Sequence, residues 1–239
     1  MIVIYNNKQK EYSMSTWKEL YQKQIPSKKT LFPEGFILRA FLSSYPSKMV
    51  EHTPNDRILD LSCGYGRNIP LYQSLGLQIF ATEIDKEITN LIQPMFPDVQ
   101  FAIGHASSLP YENAFFDIIC ACNSCYYLRM GEVFDDNLKE IFRILKPGGY
   151  FVGSIFGEKH SLPGQRNADG SVSIPSTKLN FRNNVTVFEQ EQRIQMATSQ
   201  DELRQYLAPY VDNITIGSLL DEQEGTTRHL YYFSCIKHK

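Results

Sequence analysis

Short apolar runs alternate with helical or loop segments between residues 57 and 155, and this rhythm constrains the fold more than any other feature of the sequence. Five such runs occur, at residues 58–61, 77–82, 99–102, 117–121 and 150–155. Buried strands joined by crossover helices produce this alternation, because parallel strands need a long connection between them. The segment therefore predicts an α/β fold with a mainly parallel sheet and helices on both faces.

The clearest helix signal lies at residues 135–145. Apolar side chains recur there at helical spacing, at Leu138, Ile141, Phe142 and Leu145. Pro147 and the glycines Gly148 and Gly149 follow. They should end the helix, because proline cannot continue it and glycine adopts the left-handed conformation that a turn needs. The chain is then expected to enter the last of the five strands.

The end of the chain predicts a different connection. A helix is expected near residues 199–207, a strand around 213–216 and a final strand at 231–236, with a charged turn at 221–227. Because no helix separates the last two strands, they should pair as an antiparallel C-terminal hairpin at the edge of the sheet. With the five earlier runs, they predict a seven-stranded sheet.

Two regions flank or interrupt this pattern. Residues 1–54 contain amphipathic helical pieces and predict an N-terminal helical cap. Three prolines break it, at Pro26, Pro33 and Pro46. One piece has an apolar face, made of Phe36, Ile37, Ala40 and Phe41. Residues 55–239 are expected to form the α/β domain, with an extended insertion at 156–187 that is rich in Gly, Pro, Ser and Asn. Long insertions of this kind usually carry function.

The charge balance and hydropathy exclude several classes of partner. The 239 residues include 24 Lys and Arg against 26 Asp and Glu, a formal net charge of −2, so no broad basic face is available to neutralise phosphates. No stretch approaches the ~18–20 apolar residues of a membrane span, and the first residues turn polar too early for a signal peptide. We therefore expect a cytoplasmic protein that binds neither nucleic acid nor membrane.

The cysteines indicate the same compartment. There are five, an odd number, and Cys120, Cys122 and Cys125 crowd into six positions, which is unlike a disulfide framework. With Cys63 they could converge on zinc. However, Cys120 and Cys122 point to the same face of a strand, where small apolar side chains pack. We therefore expect reduced cysteines and no metal site.

The most informative motif is the turn Asp60-Leu61-Ser62-Cys63-Gly64-Tyr65-Gly66, where a buried strand stops before a helix. Glycine allows a sharp turn, and a side chain at Gly64 or Gly66 would occupy the space of a ligand. Glu83 follows Gly66 by 17 positions, at the end of the second strand, where a carboxylate suits vicinal ribose hydroxyls. Turn and acid together predict an adenosine-containing ligand.

Five segments in order resemble the class I S-adenosylmethionine-dependent methyltransferases, of the small-molecule type with a type 11/25-like domain. They are residues 60–66, 81–85, 101–111, 116–119 and 143–149. The resemblance covers residues 57–155. It implies a Rossmann-like fold, S-adenosylmethionine as the cofactor, and methyl transfer by in-line displacement.

By this resemblance, the backbone around Ser62, Gly64 and Gly66 would hold the methionine part of the cofactor. Asp60 would orient the turn or reach the amino group through water, and Asn123 would line the methionine end. Ser62 stands where the family usually has glycine, which suggests that this position has a φ that an ordinary residue can adopt.

The nucleoside part would lie farther along the same edge. By the resemblance, Glu83 would bind the ribose, Ile84 would lie against the adenine face, and His105 and Ala106 would border the adenine edge. His105 departs from the family, which has an acid there to accept from the adenine amino group. A neutral imidazole accepts only through its unprotonated nitrogen. Either one tautomer of His105 replaces the acid, or Ser107 or Ser108 takes its role, or the site is weakened.

No catalytic base stands out. Methyl transfer can draw most of its acceleration from positioning, and a base is needed only where the acceptor carries a proton to be removed. The catalytic candidates are Tyr126, Tyr127 and His160. Candidates for lining the acceptor pocket, between the cap and the insertion, are Tyr12, Trp17, Tyr21 and Tyr127.

Three interpretations of the function compete: an oxidoreductase, a regulatory or scaffold protein, and a methyltransferase. A nicotinamide-dependent oxidoreductase shares the turn and the acid but predicts a third glycine where this chain has Ile69. A regulatory or scaffold protein could keep the fold with an altered adenine site. Many exocyclic-amine methyltransferases carry Asn-Pro-Pro-aromatic where this chain has Cys122-Asn123-Ser124-Cys125. We therefore expect a methyltransferase for a small-molecule acceptor, methylated at O, N or C, with its oligomeric state left open.

Overall fold

The computed structural model describes residues 31–43, 49–162, 164–175, 177–181, 184–188 and 191–239. For 177–181 and 184–188 it describes only the backbone. The expected pocket residues Tyr12, Trp17 and Tyr21 lie outside the described residues.

Helices and strands alternate along most of the described chain. The helices are α1 (Gly35–Leu42), α2 (Ile69–Ser74), α3 (Lys86–Ile92), α4 (Phe134–Ile144) and α5 (Gln200–Leu207), and a short 3₁₀ helix follows α3 at Gln93–Met95. The first strands are β1 (Arg57–Asp60), β2 (Gln78–Glu83), β3 (Gln100–Ile103), β4 (Phe116–Ala121), β5 (Tyr127–Leu128) and β6 (Leu145–Gly157). The remaining strands are β7 (Gln165–Arg166), β8 (Ser171–Ile174), β9 (Thr177–Phe181), β10 (Asn184–Phe188), β11 (Gln192–Ala197), β12 (Val211–Gln223) and β13 (Thr226–Lys237).

The main sheet has the predicted composition of parallel strands and a C-terminal hairpin. Strands β3, β2, β1, β4 and β6 lie side by side in that order and are parallel. Strand β13 pairs antiparallel with β6, and β12 pairs antiparallel with β13 along the outer edge. These seven strands confirm the predicted arrangement, and β5, β7, β8 and β11 extend the sheet to eleven strands among the described residues. The carboxyl ends of β1 and β4 are adjacent, which opens a crevice where ligands bind in such sheets.

Helices cover both faces of the sheet, as predicted. On one face, α1 and α2 pack with alternate residues of the strands, among them Ile58, Ile118 and Val152. On the other face, α4 and α5 pack against Leu59, Ile119 and Phe151. Alternate strand residues point to opposite faces, so both layers draw on the same apolar runs. None of the helices among the described residues has the length and apolar character that crossing a membrane requires.

Helix α1 is the described part of the predicted N-terminal cap. Its apolar face is buried as predicted, with Phe36, Ile37, Ala40 and Phe41 all inside. The Phe41 ring lies 5.8 Å from that of Tyr72 in α2, so α1 packs directly on the helix layer of the sheet. The boundary between cap and domain at residues 54 and 55 stays a prediction.

The end of α4 follows the predicted signal closely. The helix ends at Ile144 and strand β6 begins at the next residue. Gly148 has a φ of +76°, the left-handed conformation that the sequence predicted. Strand β6 extends from Leu145 to Gly157 and is therefore longer than the apolar run at residues 150–155 that indicated it.

The segment predicted as an extended insertion contains strands. Strand β8 pairs antiparallel with β7 and β11, and β11 joins the main sheet by pairing with the last residues of β6. Strands β9 and β10 form a separate antiparallel pair. Strands β8 and β10 alternate apolar and polar residues, but they are only four and five residues long. The Gly, Pro, Ser and Asn residues around them indicated loops instead. Strand β5, which pairs with β11, also escaped sequence analysis.

The cysteine prediction agrees with the packing. All five cysteines are free. Cys120 in β4 and Cys122 in the turn directly after β4 contact the same apolar cluster on the α1 and α2 side of the sheet. Among the described residues, no three His, Cys, Asp or Glu side chains come together in a group that could hold a metal ion.

Close packing of β6 against β13 predicts a destabilising substitution. A Cβ atom at Gly153 would lie 2.6 Å from Cζ of Phe233. We expect Gly153→Ala to lower the free energy of unfolding by about 1–3 kcal/mol, measured by urea titration, because neither strand can move away. Gly35→Ala is the matched control. A Cβ there meets no atom within 4 Å, so this variant should be at least as stable as the wild type. Equal stability of both variants would contradict the tight packing of β6 on β13.

Candidate functional site

The turn after β1 is pinned to the end of β2. The backbone N–H of Ser62 donates to Oγ1 of Thr82 at 3.2 Å, and that of Cys63 donates to the Thr82 carbonyl at 3.0 Å. The N–H of Gly66 donates to the Cys63 carbonyl at 3.0 Å and closes the turn. The turn therefore has one conformation set by its neighbour strand, directly above the crevice between β1 and β4.

One expectation about this turn is wrong. Ser62 has a φ of +54°, so it adopts the left-handed conformation that ordinary residues avoid, at some cost in strain. Gly64 and Gly66 have φ values of +60° and +73°, which the sharp turn predicted. At Gly66 an added Cβ would also lie 2.5 Å from the Phe96 ring, so packing alone already requires glycine at this position.

Glu83 lies beside the turn, as predicted. Its Oε1 accepts a hydrogen bond from the Gly64 N–H at 2.5 Å, and its Oε2 accepts one from the Ile84 N–H at 3.3 Å. The residue is 4% exposed. Burial raises the pKa of Glu83 to about 7, although the two backbone hydrogen bonds oppose the shift. A buried carboxyl group thus faces the backbone of the glycine turn and can accept from hydroxyl groups placed there.

Asp60, the last residue of β1, is a second buried carboxyl group. It is 1% exposed, and its Oδ2 has no hydrogen-bond partner. Burial raises its pKa to about 7, the negative charge of Glu83 adds to the shift, and a hydrogen bond from Asn68 opposes it. An unpaired buried carboxyl oxygen is costly. Its position under the turn favours a role in binding a positively charged or hydrogen-bonding ligand.

The neighbouring strand ends provide an apolar surface. Ile84 and Ile103, at the ends of β2 and β3, are 56% and 48% exposed, which is unusual for large apolar side chains beside a buried carboxyl group. His105 is partly buried, and its Nδ1 lies 2.9 Å from Oγ of Ser107. The side chain of Ala106 is buried in the core, so only its backbone can face a ligand.

The loop after β4 is tied to both neighbouring strands. The Asn123 N–H donates to Oγ of Ser154 in β6 at 3.0 Å, and this hydroxyl donates back to Oδ1 of Asn123 at 2.9 Å. Ser124 donates through Oγ to the Leu61 carbonyl at 2.7 Å. Asn123 has a φ of +57°. These contacts place Asn123 at the crevice as predicted, whereas the positioning by Ser124 and Ser154 had no recognisable sequence signal.

The three catalytic candidates lie together at the carboxyl end of β6. The Tyr126 ring is 4.6 Å from Phe156 and 4.9 Å from Tyr127, and the His160 ring is 4.0 Å from Phe156. Tyr126 is only 1% exposed, which favours packing for this residue. Burial raises the pKa of Tyr127 to about 12 and lowers that of His160 to about 4. All three side chains are therefore neutral near pH 7.

His229 joins this group and was missed by sequence analysis. The His229 N–H and carbonyl lie 3.1 Å and 3.2 Å from Nδ1 of His160. In turn, the Lys159 N–H donates to Nδ1 of His229 at 3.2 Å. The imidazole of His229 lies over Gly157, where a Cβ would be 2.3 Å from its Nδ1. The two histidines are far apart in sequence, and only the pairing of β6 with β13 brings them together.

A cavity of about 290 Å³ lies between α1 and the C-terminal hairpin. It is lined by Glu34, Phe36, Arg39, Leu219, Leu230 and Tyr232. The rings of Phe36 and Tyr232 stack with centroids 5.9 Å apart, and the Arg39 guanidinium lies 5.0 Å from the Tyr232 centroid. Sequence analysis did not anticipate this cavity, because its walls come from opposite ends of the chain.

Glu34 connects this cavity to the glycine turn. Its carboxylate accepts from Nη1 of Arg67 at 2.8 Å and from Nη2 of Arg228 at 3.3 Å. Its N–H donates to Oδ1 of Asn68 at 3.0 Å. Since Arg67 and Asn68 follow the glycine turn directly, the cavity and the turn share one network of hydrogen bonds.

Comparison with known proteins identifies the central segment. Residues 59–153 match the family model described as a methyltransferase domain. An uncharacterized methyltransferase of Schizosaccharomyces pombe is 33% identical over 93 residues, which cover 38% of this chain and 36% of that protein. A demethylmenaquinone methyltransferase of Renibacterium salmoninarum is 30% identical over 103 residues, covering 43% of this chain and 42% of that protein. The match spans less than half the length of these relatives.

The fold comparison extends over more of the chain. A SAM-dependent methyltransferase from Methanosarcina mazei superposes with a TM-score of 0.58 over 87% of this chain and 99% of that chain, at 19% sequence identity. This likeness confirms the predicted Rossmann-like methyltransferase fold.

The two buried carboxyl groups predict a measurable pH dependence of stability. Unfolded carboxyl groups titrate near pH 4, whereas the folded pKa of Asp60 and of Glu83 is about 7. As the pH rises from about 4 to about 7, the carboxyl groups of the unfolded state lose their protons before those of the folded state. The free energy of unfolding should therefore fall, by a few kcal/mol in all. Asp60→Asn should reduce this fall, measured by urea titration between about pH 5 and pH 8.

The exposed Asp98 provides the control, because Asp98→Asn should leave the slope of stability against pH unchanged. Equal slopes for the wild type and Asp60→Asn would show that Asp60 is already ionised in the folded protein.

Proposed function

We propose that this chain, whose residues 59–153 belong to the methyltransferase domain family, transfers a methyl group from S-adenosylmethionine to a small-molecule acceptor. The observation that carries the proposal is the buried Glu83 carboxyl group, hydrogen-bonded to the Gly64 N–H of the turn after β1. A hydroxyl acceptor beside a tight strand-to-helix turn is the arrangement that binds an adenosine ribose.

The residues of the crevice fit this cofactor in charge and shape. Glu83 would accept from the ribose hydroxyls, and the exposed Ile84 would cover the adenine. The backbone of Ser62, Gly64 and Gly66 would border the methionine part together with Asn123. The unpaired Oδ2 of Asp60 supplies an acceptor for the cationic amino group, directly or through water. When bound, S-adenosylmethionine supplies an electrophilic methyl group.

The acceptor would lie on the side of the crevice toward β6. The cavity between α1 and the hairpin has aromatic and aliphatic walls with the Arg39 guanidinium among them, which suits a small planar molecule. In the part of the chain that the structure describes, no carboxylate forms an ion pair with Arg39. The name of the Renibacterium salmoninarum relative indicates a small-molecule acceptor for that protein, and we extend this class to the present chain. Tyr12, Trp17, Tyr21 and Tyr127 remain proposed lining residues.

The aromatic cluster at the end of β6 would orient the acceptor. With a pKa raised to about 12, the Tyr127 phenol stays protonated near neutral pH and can only donate its proton in a hydrogen bond or accept through its lone pairs. His160 is neutral, and its pKa lowered to about 4 would make it only a weak base toward a hydroxyl acceptor. The main contribution of the chain would be positioning, since a correct approach of nucleophile and methyl group can supply roughly 7–11 kcal/mol of the barrier.

The oxidoreductase alternative has less support. A dinucleotide-binding turn uses its third glycine for close packing of helix on strand. Here that position is Ile69, the first residue of α2, and its side chain is fully buried. A scaffold protein remains the second candidate, favoured only by His105 in place of an acid. Binding of the cofactor without turnover of any acceptor would favour that reading.

Binding of the cofactor and its product tests the proposal. We expect S-adenosylmethionine and S-adenosylhomocysteine to bind in titration calorimetry, and Glu83→Ala to weaken both by at least about 10-fold, since a hydrogen bond to a charged group is lost. Glu112→Ala, at an exposed loop position, is the matched control and should bind like the wild type. Thermal unfolding of each variant would separate lost binding from lost folding.

The outcomes have clear meanings. If the folded wild type binds neither compound at millimolar concentration, the proposed function is wrong. If Glu83→Ala binds as tightly as Glu112→Ala, the ribose assignment is wrong. Formation of S-adenosylhomocysteine in the presence of a panel of small planar hydroxyl and amine compounds would then establish turnover.

A further inference from the structure

Two loops at the carboxyl edge are joined through one serine hydroxyl. Oγ of Ser107, in the loop after β3, lies 2.7 Å from Oε1 of Glu132 and 2.7 Å from Nη2 of Arg129, both in the loop after β5. The same oxygen lies 2.9 Å from Nδ1 of His105. The carbonyl of Glu132 also accepts from Nη1 of Arg193 at 3.0 Å, so this network is anchored on the sheet side by β11.

The charges of two partners decide where the Ser107 proton goes. Although burial opposes ionisation, hydrogen bonds from Arg129 and Ser107 lower the pKa of Glu132 to about 2. Glu132 is therefore ionised and can only accept, while Arg129 can only donate. The Ser107 hydroxyl must then donate to Glu132, and one of its lone pairs accepts from Arg129. Its second lone pair is left facing Nδ1 of His105.

This arrangement determines which ring nitrogen of His105 carries the proton. Two lone pairs at 2.9 Å would repel each other, so Nδ1 must carry the hydrogen and donate it to Ser107. The competing contact, from the Ser107 N–H to Nδ1, is longer at 3.3 Å. Burial and the neighbouring Arg129 lower the pKa of His105 although Glu132 opposes the shift, so the ring is neutral near pH 7. A neutral ring with its proton on Nδ1 has an unprotonated Nε2.

We propose that Ser107, Arg129 and Glu132 are positioning residues that hold His105 in the Nδ1–H form, so that Nε2 accepts a hydrogen bond from the exocyclic amino group of adenine. This inference rests on the proposed function, in which Ile84 would cover the adenine, and it extends that site to Ile103 and His105 at the end of the neighbouring strand β3. Strand pairing supports that placement, because the Gly104 N–H donates to the Glu83 carbonyl at 3.0 Å. The loop that carries His105 thus begins beside the ribose-binding carboxyl group.

A histidine held in this form distinguishes the groups on a purine ring. Its Nε2 attracts the amino group of adenine and repels the carbonyl oxygen of hypoxanthine. In the opposite tautomer, Nε2–H would donate and the preference would reverse. The binding preference for an amino group over an oxygen at position 6 of the purine therefore measures the tautomer of His105, independently of ribose binding at Glu83.

Ser107→Ala is the decisive variant. It removes the acceptor for Nδ1–H but keeps the backbone N–H that points to Nδ1, so it should shift His105 to the Nε2–H form. The probes are S-adenosylhomocysteine and S-inosylhomocysteine, which carries oxygen in place of the amino group. We expect the wild type to prefer the adenine compound by at least about 10-fold in calorimetry, and Ser107→Ala to abolish or reverse this preference.

Ser74→Ala is the matched control. Its hydroxyl donates to the Leu71 carbonyl of its own helix, so the adenine preference should equal that of the wild type. Nitrogen NMR of the wild-type imidazole ring adds a readout that does not depend on a variant folding. It should show a protonated Nδ1 and an unprotonated Nε2 for His105, assigned by comparison with His105→Gln.

The outcomes separate this inference from the proposed function. If the wild type binds neither probe, the proposed function fails and the inference fails with it. If the wild type binds S-adenosylhomocysteine but does not discriminate at position 6, or if NMR shows the Nε2–H form, only the inference is overturned. An unchanged preference in a folded Ser107→Ala would overturn it as well.

Discussion

The hydrogen bond from the Gly64 N–H to the buried carboxyl group of Glu83 is the interaction on which the functional edge of this molecule depends. It ties the turn after β1 to the end of β2, and the N–H groups of Ser62 and Cys63 add two further links to the same strand. Burying a carboxyl group is costly, and Asp60 brings a second one nearby. A bound cation would relieve this cost, so the turn is organised electrostatically for a positively charged ligand.

Features set by local rules were predictable from the sequence. The apolar runs predicted the five parallel strands, because β1, β2, β4 and β6 are largely buried and buried parallel strands are rich in apolar residues. The proline and glycines after α4 predicted where it ends, and Gly148 adopts the expected left-handed conformation. The position of Glu83 followed from its place at the end of β2. In each case the residues of one short segment are sufficient to explain its conformation.

Features set by contacts between distant segments were not predictable. Ser62 adopts a positive φ because hydrogen bonds to Thr82 hold the turn, and nothing in its own sequence context requires this. Gly66 has the positive φ expected of the turn, but the packing of Phe96 against it is a further requirement that its own segment does not reveal. His229 meets His160 only through the pairing of β13 with β6. In the insertion, Val172 and Ile174 of β8 belong to the core, but the alternation that they form is only four residues long and lies among Gly, Ser and Asn residues that indicate loops.

This division also separates the two halves of the proposed site. The cofactor side is built from strand ends and adjoining turns in the segment that matches the methyltransferase domain, so its chemistry can be read from short motifs. The acceptor side is built from α1, β12 and β13, which lie outside that segment. Glu34 links the two halves by pairing with Arg67 beside the turn and with Arg228 on β13. Substitutions that keep Glu34 and Arg228 would therefore alter the proposed acceptor side while the contacts of Glu83 and the glycine turn are kept, which is how one fold comes to serve different acceptors.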